Sequence, residues 1–224
     1  LTYGEPADEP RSGAARFLLK WITPEADKMI AHMARVSNVN AKEDDPSEKL
    51  ITYLIQHKHW SPFEMAGMCV EIETTRDIGR QILRHRSFHF QEFSQRYAFV
   101  DLDPTWSEAR MQDTTNRQNS LPCEDVETQL WWEDTIEDLW DDVKAAYTAA
   151  TRRGIAKEVA RKLLPEGLTK THMYMHGTIR DWIHYLQIRM GVETQKEHRD
   201  VAQAIAKILA ENCPAVYTAA FRGV

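Results

Sequence analysis

The densest run of side chains able to do chemistry spans residues 84–97, with the sequence RHRSFHFQEFSQRY. Just before it, Arg76, Arg80 and Arg84 recur every four residues, a spacing that places them along one face of a helix. Guanidinium groups bind phosphate through paired hydrogen bonds, and the Gln, Glu and Ser side chains of the run can read the edge of a base or ring. The segment therefore predicts a compact site for a small anion.

The distribution of charge favours the same interpretation. The protein has 28 basic and 34 acidic residues, a formal charge of −6, yet five arginines stand against two acids between residues 76 and 96. A general polyanion binder would be basic overall. The alternative is a solvated arginine face, paired with an acidic helix predicted at 127–153. Four aromatic residues within 88–97 argue against that alternative, because a solvated face has no use for them.

Hydrophobic periodicity predicts the elements that must position this segment. The predicted helices are 24–36, 45–57, 76–86, 127–153, 155–164, 178–190 and 195–211. The predicted strands are 69–75 and 169–175, and residues 88–100 are expected to be partly extended. This pattern indicates one α+β domain over residues 1–224, with a small mixed or antiparallel sheet flanked by several helices. We expect residues 1–15 to be a flexible tail and the polar segment 101–126 to be a mobile loop.

Composition excludes several classes of protein. The chain of 224 residues is 42% hydrophobic and 9% aromatic, which excludes disorder as its main state. No stretch approaches the roughly 20 apolar residues of a membrane span, and the polar start does not resemble a secretory signal. Three widely spaced cysteines fit no disulfide framework and no metal knuckle. We therefore expect a cytoplasmic protein with reduced thiols and neither membrane nor nucleic-acid partners.

Five blocks of sequence, in order along most of the chain, resemble the flavin-dependent thymidylate synthases. Arg84-His85-Arg86, followed after seven residues by Ser94, matches the RHR-x7-S signature of that family, and Arg96-Tyr97 continues it. The other similar blocks are ARVS at 34–37, HWSPFE at 59–64, ARKLLP at 160–165, and a late segment from Arg180 through Arg189 to Gln195 and Glu197.

The resemblance implies an activity and its cofactors. Family members are α+β proteins of the thymidylate synthase-complementing type that convert dUMP to dTMP. Methylenetetrahydrofolate supplies the carbon, NADPH supplies the reducing equivalents and FAD carries the hydride. They are homotetramers with active sites shared between subunits, and they need neither a metal nor an attacking cysteine. The absence of cysteine from all five blocks is consistent with that chemistry.

Position within the motifs also implies which residues bind each ligand. The expected FAD contacts are Ser37, Ser61, Glu64, Arg84, His85, Arg86, Glu92, Thr178, Arg180 and His184. The expected dUMP contacts are Gln81, Arg84, Glu92, Ser94, Gln95, Arg96, Arg161 and Arg189. Arg189 matches the arginine that ionises uracil at N3 and is the expected catalytic residue, because a fixed guanidinium stabilises charge where it develops. Arg96 and Arg161 can donate to the phosphate.

Some positions depart from the family pattern. Gln91 and Gln95 replace the usual Asn and Gly, Thr178 and His184 replace Asn, and Glu193 replaces His. Residues 101–126 align with nothing in the family. The departures leave open an enzyme that hydroxymethylates dUMP, or one that accepts another pyrimidine nucleotide.

Histidine spacing offers a different class of function. The pairs His85/His89 and His172/His176 are four residues apart, and on helices such pairs could bind a divalent metal for nucleotide phosphohydrolysis. Four other histidines could add ligands: His57, His59, His184 and His198. No HExxH motif is present, so we expect most histidines to be structural, exposed or flavin-contacting. Binding of a single nucleic-acid strand by arginines and aromatics is disfavoured by the acidic charge balance. The tryptophans of the long helix are expected to be core or subunit contacts.

Overall fold

A four-stranded antiparallel sheet lies at the centre of the computed structural model, which describes residues 16–37, 46–100, 102 and 105–222. Its strands are β1 (Phe17–Ile22), β2 (Gly67–Thr75), β3 (His89–Glu92) and β6 (Lys170–Thr178). They lie in the order β1-β2-β6-β3. Two short strands, β4 (Arg110–Gln112) and β5 (Ser120–Pro122), form a separate antiparallel hairpin.

The helices surround this sheet. They are α1 (Ala26–Ala34), α2 (Ser47–Gln56), α3 (Arg76–Ile82), α4 (Val126–Arg152), α5 (Lys157–Ala160), α6 (Ile179–Arg189), α7 (Lys196–Asn212) and α8 (Pro214–Ala220). Short 3-10 turns occur at 35–37, 61–64 and 161–163. The prediction of an α+β fold with a small antiparallel sheet is confirmed. No helix within the described ranges is both long and apolar enough to cross a membrane.

One face of the sheet forms the core. β2 and β6 pair along all nine residues of each strand, and burial along β6 alternates strictly. The inward side chains Met173 and Met175 are fully buried, in one core cluster with residues of α6 and α7. Trp182 of α6 is also fully buried, and its indole N–H donates to the carbonyl of Met68 at 3.1 Å. This bond helps to fix α6 over the sheet.

Gly177 allows Phe88 to approach the central strand closely. A Cβ at Gly177 would lie 2.6 Å from two carbons of the Phe88 ring. The same ring meets the edge of Trp182, with 4.7 Å between ring centroids. The turn that leads into β3 is thereby packed against α6, so residues 84–88 and α6 are held as one unit.

Two elements were not predicted, and one predicted loop contains further structure. β1 was not predicted because a bulge between Leu19 and Trp21 breaks the period of two. α8 was missed because Pro214 reads as a stop, whereas Pro also suits the first turn of a new helix. The loop predicted at 101–126 contains the β4–β5 hairpin, whose turn is organised by Asp113 accepting from the backbone N–H groups of residues 115 and 116.

Two predicted helices differ from the structure by more than two residues. α3 ends at Ile82, four residues before the end of the helix predicted at 76–86. The helix predicted at 155–164 is divided into α5 and the 3-10 turn at 161–163. The flexible tail expected at 1–15 lies outside the described residues.

The long helix α4 is fixed by its tryptophans. Trp140 is buried and donates from its indole nitrogen to the carbonyl of Leu102 at 2.9 Å. Trp132 donates in the same way to Ser107 at 2.8 Å. Trp131, in contrast, is 60% exposed. Two of the three tryptophans are thus structural contacts within one chain.

Candidate active site

The RHR segment follows the end of α3, and its side chains alternate between exposed and half-buried. The helix ends at Ile82, and the backbone N–H of His85 donates to the carbonyl of Ile82 at 3.0 Å, which closes a tight turn. Arg84 and Arg86 are exposed, whereas the His85 side chain between them is half-buried. Two guanidinium groups therefore face outward on either side of an imidazole that faces the core.

His85 meets the last residue of α6. Arg189 donates from Nε to Nε2 of His85 at 2.9 Å, although 104 residues separate them in sequence. Burial, and then the charge of Arg189, lowers the pKa of His85 to about 4. The imidazole is therefore neutral at pH 7, and because Nε2 accepts, its proton lies on Nδ1. Arg189 retains the positive charge of the pair.

A buried polar chain lies directly behind this pair. The hydroxyl of Tyr185 and Nε2 of His198 are 3.1 Å apart, and Nδ1 of His198 is 3.3 Å from Oε1 of Gln81. His198 has no exposed surface, and burial followed by the charge of Arg189 lowers its pKa to about 3. Burial also raises the pKa of Tyr185. Gln81 is thus supported from the interior by neutral groups.

Glu92 is held by ion pairs from α3. The hydroxyl of Thr171 donates to its Oε1 at 2.8 Å, and guanidinium nitrogens of Arg76 and Arg80 lie 3.5 and 3.8 Å from its two oxygens. Arg80 also pairs with Glu166 at 3.3 Å. Within the described ranges, the arginine stripe therefore pairs with Glu92 and Glu166, and not with the acidic helix α4.

Arg161 belongs to the same region as Glu92. Burial is the chief cause that lowers the pKa of Arg76, and the positive charges of Arg80 and Arg161 contribute to it. Arg161 is half-buried in the 3-10 turn that follows α5. A third basic group therefore lies near Arg76, in the region of Glu92.

Residues 94–97 form a loop with one buried amide. Gln95 is 4% exposed, and its Nε2 has no hydrogen-bond partner among the residues described. Arg96 is more than half exposed and pairs at 3.8 Å with Glu158, which is equally exposed. An unpaired buried donor costs about 1–3 kcal/mol, so a ligand that accepts a hydrogen bond there would be bound favourably.

The start of α6 carries a separate group of candidates. Arg180 forms an ion pair with Glu64 of the 61–64 turn. The ring of His184 meets Trp60 edge-on at 4.8 Å, and burial followed by Arg180 lowers the pKa of His184. Ser61 is exposed beside them. The second candidate group therefore combines two polar side chains, an ion pair and an aromatic wall.

Thr178 also has a structural role at this position. It is the N-cap of α6, and its hydroxyl accepts from the backbone N–H of Asp181 while the Asp181 carboxylate accepts from the backbone N–H of Thr178. This capping box fixes the direction in which α6 leaves the sheet.

α6 separates two groups of candidates. Arg180 and Arg189 are nine residues apart on it, which corresponds to about 14 Å along the axis. The expected uracil contacts lie at its C-terminal end with His85, and several expected FAD contacts lie at its N-terminal end. Ser37 ends the 35–37 turn, and its side chain lies outside the described part of the molecule.

The histidine pairs are not arranged for a metal. His172 and His176 lie in strand β6, and His85 and His89 lie beyond the end of α3, so neither pair occupies a helix. In the described part of the chain, no group of three or more His, Cys, Asp or Glu side chains could hold an ion. Neither pair therefore meets the condition of a shared helical face on which metal binding was considered.

Sequence reasoning missed Tyr185 and Thr171, and it considered His198 only as a possible metal ligand. His198 carries a detectable signal, because it shares one face of α7 with Val201, Ala202 and Ile205 at helical spacing. A histidine within an apolar stripe must find a buried partner. No comparable signal identifies the partner of Thr171, which depends on the pairing of β3 with β6.

Most of the chain matches one known protein family. The family described as "Thymidylate synthase complementing protein" matches residues 18–215. The chain is 48% identical over 192 residues to a probable flavin-dependent thymidylate synthase of Paramecium bursaria Chlorella virus 1, covering 85% of this chain and 88% of the relative. It is 46% identical over 198 residues to a flavin-dependent thymidylate synthase of Synechocystis sp., covering 88% and 90%.

A solved structure has a similar fold. The crystal structure of a UMP/dUMP methylase, PolB from Streptomyces cacaoi, bound with 5-Br dUMP, superposes with a TM-score of 0.83. The two chains are 24% identical, and the match covers 93% of this chain and 95% of the other. At that identity, the likeness shows the fold alone.

Proposed function

The chain belongs to the flavin-dependent thymidylate synthase family, and on that premise we propose that it methylates dUMP to dTMP with FAD as its bound cofactor. Methylenetetrahydrofolate would provide the carbon and NADPH the reducing equivalents. The observation that carries the proposal is the contact between Arg189 and His85. It joins the family's RHR signature to the arginine expected to act on uracil.

Arg189 is the proposed catalytic residue. C5 of uracil is a poor nucleophile, and negative charge at N3 and O2 makes the ring more like an enamine. A guanidinium held beside those atoms stabilises that charge where it develops. The neutral imidazole of His85 accepts from Nε of Arg189, so it orients the guanidinium without adding a competing positive charge.

The 94–97 loop and the turn after α5 are the proposed phosphate site. Arg96 is exposed and pairs only at 3.8 Å with Glu158, so its guanidinium can turn to an anion at small cost. Arg161 adds a second positive charge, and the unpartnered Nε2 of Gln95 adds a neutral donor. Ser94 and Glu92, which flank the loop, are the remaining proposed dUMP contacts together with Gln81 and Arg84.

The donor set also fits a flavin dinucleotide. Arg84 and Arg86 present two exposed guanidinium groups that suit a diphosphate. At the start of α6, Arg180 pairs with Glu64 and the ring of His184 meets Trp60, and Ser61 and Thr178 are the other proposed contacts there. When bound, FAD supplies the hydride that reduces the transferred carbon. The chain's own residues hold and orient it.

We further propose a homotetramer whose sites combine residues of different subunits. The two groups of candidates lie at opposite ends of α6, about 14 Å apart, and both are open at the surface of one chain. Exposed apolar side chains on α4, including Trp131 and Leu139, are suited to contacts between subunits. The three cysteines are buried and free, which supports a reducing compartment such as the cytoplasm.

The test is a visible absorption spectrum followed by product analysis. The purified protein is incubated with FAD, desalted, and titrated in parallel with dUMP, UMP and dCMP. Retained flavin bands that shift with dUMP, and dTMP formed on addition of methylenetetrahydrofolate and NADPH, are expected. A shift with another nucleotide would transfer the proposal to that substrate. Formation of hydroxymethyl-dUMP would replace methylation with hydroxymethylation, and failure to retain flavin would overturn the proposal.

A further inference from the structure

The β4–β5 hairpin contacts helix α7 through Arg110. Arg110 contacts Oε1 of Glu197 from Nη2 at 2.6 Å, and its Nε donates to the hydroxyl of Ser120 at 2.8 Å. The side chain of Arg110 is 15% exposed, so this ion pair is largely withdrawn from solvent. Glu197 lies in the first turn of α7. The hairpin is thus tied to the helix that carries His198.

A chain of hydrogen bonds continues from Glu197 towards the proposed substrate site. The amide nitrogen of Gln195 lies 3.0 Å from Oε2 of Glu197, and the amide nitrogen of Gln81 lies 2.7 Å from Oε1 of Gln195. Oε1 of Gln81 in turn faces His198 at 3.3 Å. Arg110 is therefore connected to Gln81 through two intermediate side chains.

The carboxylate of Glu197 determines which group donates and which accepts in each hydrogen bond of this series. Burial raises the pKa of Glu197, but bonds from its own backbone N–H, from Arg110 and from Gln195 outweigh burial and hold that pKa below its ordinary value. An ionised carboxylate only accepts. Gln195 must then direct its NH₂ to Glu197 and its oxygen to Gln81.

The same logic fixes the two groups that follow. Since Gln195 offers an oxygen, Gln81 must direct its NH₂ towards it, and the oxygen of Gln81 therefore faces His198. His198 is neutral and carries its proton on Nδ1, which leaves Nε2 to accept from the hydroxyl of Tyr185. One N–H of the Gln81 amide is used by Gln195, and the second remains for a ligand.

We propose that Arg110 is a positioning residue which, through Glu197 and Gln195, fixes the amide of Gln81 so that it presents an N–H donor to an acceptor atom of the nucleotide. The inference rests on the proposed function, in which Gln81 contacts dUMP. Without Arg110, Glu197 loses its charged partner and Gln195 loses the constraint that sets its direction. The Gln81 amide can then turn over and present its oxygen to the same acceptor.

The experiment compares Arg110→Met with Arg110→Lys and with Glu197→Gln. An amide can either donate or accept, so Glu197→Gln no longer determines which way the Gln195 and Gln81 amides are oriented, while the side chain keeps its shape. Dissociation constants for dUMP are measured by titration of the flavin spectrum, and KM and kcat are measured separately. We expect Arg110→Met and Glu197→Gln to weaken dUMP binding by about tenfold, the value of one neutral hydrogen bond, with FAD retention unchanged. Arg110→Lys should recover part of the loss.

Lys196→Met is the matched control. Lys196, the first residue of α7, pairs with Glu108 at 3.2 Å, so its loss removes another contact between this helix and the segment before β4 while Arg110 keeps its partners. A purely structural role of the hairpin predicts that the control and Arg110→Met lower the melting temperature alike and leave the dUMP affinity unchanged. Wild-type affinity in both Arg110→Met and Glu197→Gln would overturn the positioning role while methylation by the wild type stood. A wild type that neither binds nor methylates dUMP would overturn both proposals. If Arg110→Met does not fold, Glu197→Gln alone decides.

Discussion

Arg189 and His85 form a hydrogen bond of 2.9 Å in which the guanidinium donates from Nε and the neutral imidazole accepts at Nε2. The bond orients the guanidinium from behind, and the burial that lowers the pKa of His85 to about 4 prevents a second positive charge there at neutral pH. It also brings the end of α6 onto the turn after α3. The proposed catalytic arginine and the histidine that orients it thus come from two distant parts of the chain.

Replacing Arg189 tests the proposed activation of uracil. Arg189→Ala should reduce dTMP formation by about 10²–10³-fold, because it removes the charge that stabilises the developing anion. FAD should stay bound, since the proposed flavin contacts at the start of α6 are unchanged. Product formation and the flavin spectrum are measured on the same preparation.

Arg152→Ala is the control for that experiment. Arg152 is exposed in the last turn of α4, so its loss removes one positive charge at a remote position. It should retain wild-type activity. Full activity in Arg189→Ala would remove the N3 role.

Arg96 should act mainly on binding of the phosphate. Arg96→Ala is expected to weaken dUMP binding by roughly 1.5–3 kcal/mol, the value of one hydrogen bond to a charged group, with kcat at saturation little changed. Glu158→Gln releases Arg96 from its 3.8 Å ion pair and should leave the dUMP affinity equal or higher. A dUMP titration that is identical for Arg96→Ala and the wild type would place the phosphate elsewhere.

The capping box of α6 predicts a stability effect at Thr178. Thr178→Ala removes the acceptor for the backbone N–H of Asp181 and should lower the free energy of unfolding by about 0.5–2 kcal/mol. Thr178→Ser keeps the hydroxyl and should recover most of this loss. Denaturant unfolding of the three proteins provides the measurement. Equal stability of the Ala and Ser variants would show that the cap contributes nothing.

The half-buried His85 and the buried His198 predict a pH-dependent stability. Their pKa values are about 4 for His85 and about 3 for His198, both below the ordinary 6.5. Between these values and 6.5 the unfolded chain binds more protons than the folded one. The free energy of unfolding must therefore fall as the pH decreases from about 6.5 towards 4.

His198→Gln removes one of the two titrating histidines, so it measures the contribution of His198 to the pH dependence. Glutamine keeps polar atoms beside Tyr185 and Gln81 but does not titrate. The pH dependence of the variant should be shallower than that of the wild type by up to about 1.4 kcal/mol per pH unit in this range. Parallel stability curves for the two proteins would contradict the depressed pKa of His198.

Much of the fold was predictable because its elements carry regular patterns. β6 alternates along its whole length, and α7 repeats its apolar residues at helical spacing, so each was found from sequence. β1 was not, because its bulge places Lys20 between two partners and disrupts alternation. The β4–β5 hairpin depends on side-chain bonds such as that from Asn119 to Asp113, which leave no hydrophobic pattern.

The candidate site was predictable by residue type but not by pairing. The motif identified Gln81 and His85, and it could not show that His198 supports the first or that Arg189 orients the second. Such partnerships depend on how α6 and α7 pack beside α3 and the turn that follows it. Glu92 likewise was identified, whereas Thr171, its 2.8 Å donor, became visible only when β3 was seen to pair with β6.

The position of β6 between β2 and β3 has a consequence for synthesis on the ribosome. β2 and β3 emerge early and are close in sequence, yet neither pairs with the other. Their common neighbour emerges about 80 residues after β3, and the helices bearing Arg189 and His198 come later still. A growing chain can therefore hold the whole RHR segment and still lack part of the proposed nucleotide site. Binding of dUMP would report that translation has passed α7 and that the final strand has been inserted.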